Sequence, residues 1–142
     1  MKRLNSKEKK LIVHAIGDAE HQTSGEIRVH LSYSGAEKEL LPIAQKQFEK
    51  LKMNLTKERN GILLYINPKV RKFAVFGDIG IHEKVGQIFW EELKDQIQKN
   101  IQEKDLTSGI VHAVTKLGMQ LKTYFPCIDQ NKNELQNDIS ES

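Results

Sequence analysis

Residues 71–90, RKFAVFGDIGIHEKVGQIFW, begin with the residue types of a β-strand and end with the apolar spacing of an α-helix. The joint between them, Gly77-Asp78-Ile79-Gly80-Ile81-His82-Glu83, holds two glycines, two carboxylates and an imidazole. Carboxylates with amide and carbonyl oxygens are the ligands of hard cations such as Ca²⁺ and Mg²⁺. An imidazole beside them is a candidate acid or base near neutral pH. The competing reading is structural: the glycines make the turn, Asp78 caps it or the helix, and Glu83 complements the helix dipole.

The elements that must position this joint follow from periodicity. Residues 5–21 form a helix, capped by Asn5 with Glu8 three residues on as a capping box requires, and with Leu11, Ile12, Ala15, Ile16 and Ala19 on one face. Residues 26–32 alternate, Ile27, Val29 and Leu31 opposite Glu26, Arg28 and His30, which suggests a strand near a sheet edge or under a partly open surface. A second helix spans 37–52, with Leu40, Leu41, Ala44, Phe48 and Leu51 inward and Pro42 confined to its first turn. The unbroken apolar run at 61–67, GILLYIN, predicts a central strand buried on both faces. Asn67-Pro68-Lys69 is turn chemistry, so the strand at 71–77 returns antiparallel. Val85, Ile88, Phe89, Leu93, Ile97 and Ile101 mark a third helix; Asp105 or Thr107 caps a fourth, which Pro126 stops. Residues 126–142, polar and rich in Asn, Asp and Ser, are expected to be a disordered tail.

The order α-β-α-β-β-α-α makes a right-handed crossover followed by a hairpin. The expected fold is an α/β, three-layer-like sandwich on a small mixed sheet. Parallel first and second strands start at one end of the sheet, and the third finishes there. Ser24-Gly25-Glu26, Arg59-Asn60-Gly61 and Gly77-Asp78 therefore converge, and loops on a rigid sheet are where sites are built. Asp78, Asn60, Glu26, Glu58 and Glu83 are the candidate ligands of a Ca²⁺ or Mg²⁺ ion. Arg59, Asp78 and His82 are the candidate catalytic groups, Arg59 as a bidentate phosphate clamp or, alternatively, as the partner of Asp78 across the hairpin base.

Composition narrows the function. The 142 residues carry a net charge of only +3, with lysines interspersed among glutamates, which argues against a nucleic-acid partner. One cysteine, Cys127, makes neither an intramolecular disulfide nor a multi-cysteine metal site. No run approaches the ~20 apolar residues that span a membrane, so a cytoplasmic location without membrane insertion is expected. P-loop, nucleophile-elbow and dinucleotide fingerprints are all missing.

Four blocks in order, SGEIRVHL, RNGILLYI, RKFAVFGDIGIHEKVGQIFW and GIVHAVTKLGMQL, resemble those of the TPM-domain family, over about residues 10–125. The chain is similar to the short cytoplasmic bacterial members, with residues 1–125 as the TPM-like domain. The resemblance implies an α/β sandwich and a function among phosphatases, nucleotide phosphohydrolases, divalent-metal binders and accessory factors of membrane complexes. Asn60-Gly61 matches the family's asparagine-glycine before the second strand, but Arg59 stands where many relatives have aspartate. Gly77-Asp78-Ile79-Gly80-Ile81 replaces a glycine-tyrosine-glycine-leucine-glutamate loop, so Asp78 and Glu83 either substitute for missing carboxylates or the catalytic function is lost. The reading that follows is a metal-binding domain with weak activity on a phosphate-containing small molecule. The alternative is a non-enzymatic interaction module for a membrane-associated partner protein.

Overall fold

A computed structural model describes residues 3–34, 39–103, 105–127 and 139–142. The elements are α1 (Ser6–Glu20), β1 (Glu26–Leu31), α2 (Leu40–Lys50), a 3₁₀ turn (Met53–Leu55), β2 (Gly61–Asn67), β3 (Lys72–Gly77), α3 (Ile79–Glu103), α4 (Leu106–Tyr124) and β4 (Ile139–Glu141). The sheet order is β3-β2-β1-β4. β1 and β2 are parallel in register Glu26↔Gly61, and β2 and β3 antiparallel in register Ile62↔Gly77.

Alternation along the strands splits the core into two layers around the sheet. Ile27, Val29, Leu31, Ile62, Leu64, Ile66 and Val75 pack against α1, α3 and α4. Leu63, Tyr65, Ala74 and Phe76 face α2 and Met53 on the other side. All seven residues of β2 are buried, as its apolar run demands.

The caps follow the sequence. Asn5 Oδ1 accepts the Glu8 N–H at 2.8 Å while Glu8 Oε1 accepts the Asn5 N–H at 2.9 Å, completing the capping box of α1. Of the two candidates for α4, Asp105 is the cap, accepting the Ser108 N–H at 2.9 Å. Lys69 N–H donates to Asn67 Oδ1 at 3.0 Å, so the β2–β3 turn is held by an asparagine side chain.

Four expectations change. β1 is not an edge strand, because β4 pairs along its outer side, Val29↔Ile139 to Leu31↔Glu141. The expected disordered tail is therefore ordered at its described ends: Pro126 bridges to Thr23, Cys127 N–H bonds Gln22 O, and residues 139–142 join the sheet. Residues 128–138 lie outside the described residues, as do 37 and 38 of the second helix. Helix α3 starts at Ile79, ahead of the start expected near His82 to Val85, and breaks at Gly86, whose φ of +78° is a glycine conformation. Leu11, Leu41 and Ile88, placed by periodicity on apolar faces, are exposed.

Candidate functional site

The three loops do meet at one end of the sheet. Asn60 Nδ2 donates to Ser24 Oγ at 3.1 Å, tying the approach to β2 to the approach to β1. Asp78 N–H donates to Gly61 O at 2.9 Å and Gly80 N–H to Arg59 O at 2.8 Å, tying in the end of β3. A Cβ on Gly80 would collide with the carbonyl oxygens of Glu58 and Arg59, so this approach needs glycine.

Asp78 sits at the centre of the junction, 4 % exposed. Arg59 Nε donates to its Oδ2 at 2.7 Å, and Arg59 Nη2 to its Oδ1 at 2.9 Å. Oδ1 also accepts the Ile79 N–H at 2.8 Å, which caps the start of α3. Hydrogen bonding to Asp78 raises the Arg59 guanidinium pKa above its ordinary value. Arg59 reaches across from a left-handed backbone, φ +54°, which a non-glycine residue adopts only when its surroundings hold it. A carboxylate gripped on both oxygens by a guanidinium offers a cation little, and the guanidinium repels one. Asp78 and Arg59 thus close the hairpin base and cap the helix.

The other candidates scatter. Glu58 and Glu83 are exposed. His82 is exposed as well; its ring lies parallel to Trp90 at 6.4 Å, beside a cavity of about 150 Å³ that Leu41, Gly77 and Lys94 also line. Asn60 is fully buried, and its Oδ1 has no hydrogen-bond partner among the described residues. Glu26 is 2 % exposed at the first position of β1.

Sequence reasoning passed over the neighbour of Glu26. Glu20, the last residue of α1, folds back across the Thr23-Ser24-Gly25 turn and accepts the Ile27 N–H at 2.6 Å. It lies against Glu26. Burial first, and the charge of Glu26 next, push the Glu20 carboxyl up to about 9 from its ordinary 4.5. The available signal was a short helix-to-strand turn flanked by two glutamates, which returns one over the other. Among the described residues, no three His, Cys, Asp or Glu side chains lie close enough to hold a metal alone.

His30 is the second buried polar group of β1, 1 % exposed and stacked on Tyr65 at 5.0 Å. Its Nδ1 meets Ser140 Oγ at 2.7 Å and its Nε2 meets Ser142 Oγ at 2.8 Å. Burial first, and the Arg28 charge second, lower its pKa to about 4, so the ring is neutral.

Fold and site together define an α/β sandwich whose buried acidic groups gather at one end of a small mixed sheet. The model of the TPM domain family, described as TPM_phosphatase, matches residues 2–120, and the chain belongs to that family. The solution structure of the BA42 protein from the psychrophilic bacterium Bizionia argentinensis is similar at 39 % identity, over 99 % of this chain and 97 % of that one, with a TM-score of 0.89. The N-terminal domain of the cg2496 protein from Corynebacterium glutamicum shares the fold at 11 % identity and TM-score 0.64, over 99 % and 80 % of the two chains. An N-terminal domain from P. gingivalis shares it at 14 % identity and TM-score 0.70, over 86 % and 78 %. No curated protein matches the chain. Among the described residues, no helix is long and apolar enough to cross a membrane.

Proposed function

We propose that this TPM domain binds a divalent cation, Mg²⁺ or Ca²⁺, at the Glu20–Glu26 carboxyl pair. The observation that carries the reading is the pair itself: two carboxyl groups in contact, Glu26 2 % exposed and Glu20 held over it by the Ile27 N–H at 2.6 Å, where burial raises its pKa. Such a pair either keeps a proton or takes up a positive charge in its place. The donor set fits a hard cation, with water completing the shell. With only two carboxylates it suits Mg²⁺, which keeps several waters, better than Ca²⁺. Asp78, Glu58 and Glu83 fall outside this set, the first because Arg59 occupies it.

Phosphate-ester hydrolysis is the finer reading. It is supported by the ability of a cation bound at the pair to polarise a phosphoryl oxygen; the cavity lined by His82 and Lys94 does not include Glu20 or Glu26. Arg59 joins that chemistry only when its pair with Asp78 opens.

The test is calorimetric titration of Mg²⁺ and Ca²⁺ at several pH values. One displaced proton makes the affinity rise by about ten-fold per pH unit between pH 6 and 8. Glu20→Gln abolishes binding, and Asp78→Ala leaves it within about two-fold. A pH-independent affinity, or full binding by Glu20→Gln, refutes the assignment. Turnover of p-nitrophenyl phosphate with Mg²⁺ then tests the finer reading.

A further inference from the structure

The break in α3 builds a cavity. In an unbroken helix the eight positions from His82 to Trp90 set the two residues about 12 Å apart along the axis. With the break at Gly86 between them, the two rings lie parallel within 13°, their centroids 6.4 Å apart. Gln87, Trp90 and Lys94 follow at the spacing of one helix face. That face, His82 and the end of β3 enclose the cavity of about 150 Å³. Nothing stands within 4 Å of where a Cβ on Gly86 would be, so no neighbour imposes the break.

The lining divides into an apolar wall and a polar side. Leu41 of α2 and Val75 and Phe76 of β3 make the wall. Lys94, Gln87, the His82 ring and the Trp90 indole make the polar side, and no carboxylate lines the cavity. Lys94 is half-buried and has no ion pair among the described residues. Trp90 is 5 % exposed, and its Nε1–H has no hydrogen-bond partner among the described residues. A buried indole N–H normally has one. The ring edge beside that nitrogen, Cζ2 and Cη2, lies over Gly77, where a Cβ would come within 2.6 Å of both atoms. Glycine at position 77 thus lets the nitrogen edge of the indole stand at the cavity wall. The backbone adds a donor there. Asp78 N–H bonds Gly61 O, and an antiparallel ladder alternates, so Gly77 N–H turns to the outer edge of β3.

We propose that the elbow of α3 is a binding site for a small aromatic carboxylate, its ring on the wall of Leu41, Val75 and Phe76 and its carboxylate on Lys94, the Trp90 N–H and the Gly77 N–H. An apolar wall with a few convergent polar groups is the usual make-up of a small-molecule site. A cavity of this size takes a body of about the size of benzene, which is a single ring. Lys94 is the one lysine or arginine of the lining, and its single charge matches a monoanion better than a phosphate dianion. With no acid facing it, that charge is free to select an anion. Neither Glu20 nor Glu26 lines the cavity, so the site does not rest on the cation proposed above.

The experiment is an NMR titration of the ¹⁵N-labelled full chain with benzoate. It is read at the indole N–H of Trp90, the only tryptophan of the chain, and at the amides of residues 75–77 and 87–94. Three further probes separate the parts of the ligand: benzyl alcohol has the ring without the charge, acetate the charge without the ring, and phenyl phosphate the ring with a dianion. Benzoate is expected to move the Trp90 resonance with a Kd on the order of millimolar, the range open to so small a ligand. Each of the other three is expected to bind about ten-fold more weakly. Lys94→Met keeps the apolar stem, removes the charge and is expected to weaken benzoate by about ten-fold. Equal binding of benzyl alcohol or acetate, unchanged affinity in Lys94→Met, or an unmoved Trp90 resonance at saturating benzoate overturns the proposal. Tighter binding of phenyl phosphate than of benzoate overturns the carboxylate class. Mg²⁺ titrated into Lys94→Met is expected to behave as in the wild type, so failure of this site and failure of the Glu20–Glu26 reading are told apart.

Discussion

Arg59 and Asp78 show how a residue pair with the chemistry of a site can serve the fold instead. The carboxylate is buried, holds the Arg59 fork and caps α3, so each of its hydrogen bonds is structural. Asp78→Ala strands Arg59 in its left-handed conformation and uncaps Ile79. It is expected to cost about 2 kcal/mol in urea unfolding, the sum of a lost cap and a lost charged hydrogen bond. Glu20 has the opposite character. Its folded pKa of about 9 lies above its ordinary 4.5, so its neutral form suits the fold. That contribution is complete below pH 4.5 and is lost as pH rises through about 9. Glu20→Gln keeps the acceptor for the Ile27 N–H without the charge. It should raise the melting temperature at pH 9 by several degrees, and change it little at pH 5. Equal shifts at both pH values would show that the charge is not the cause.

At the scale of elements, two glycines in α3 do different work. Gly80 lets the start of the helix lie directly on the carbonyls of Glu58 and Arg59. Gly86 has open space around its α-carbon, yet its φ of +78° breaks the helix. Gly80→Ala is expected to destabilise by more than about 2 kcal/mol, because backbone must move. Gly86→Ala is expected to cost about 1–2 kcal/mol, the strain of that conformation alone. Denaturant midpoints separate the two, and a larger loss at Gly86 would reverse the argument. The break also explains why apolar periodicity placed the third helix too late. A helix interrupted at one residue carries two stripes out of phase, and only the longer one, Leu93, Ile97 and Ile101, is buried along its length.

Across the whole molecule, Glu20 and His30 set opposing pH dependences. His30, depressed to about 4 from 6.5, contributes stability that is complete above pH 6.5 and lost as pH falls through 4. The slopes of the two groups cancel between pH 4.5 and 6.5. Stability from this pair should therefore plateau there, fall toward pH 9, and fall again below pH 4.5. Thermal unfolding across pH 4–9 checks it, and Mg²⁺ at pH 9 should restore part of the alkaline loss. A continuous rise from pH 5 to 9 would contradict the Glu20 assignment.

Local pattern determined much of this protein from sequence: the α/β order, the cap at Asn5 and one at Asp105 or Thr107, the central β2, the hairpin and the convergence of three loops. Each rests on period, turn chemistry or handedness, which act over a few residues or follow from strand order. Tertiary structure alone decided what those loops do. Whether Asp78 faces a cation or Arg59, whether Glu20 lies on Glu26, and whether residues 139–142 seek the edge of β1 depend on contacts between groups 19, 6 and 110 positions apart. Burial and charge act through space, and no periodicity along the chain encodes which distant group a side chain will meet.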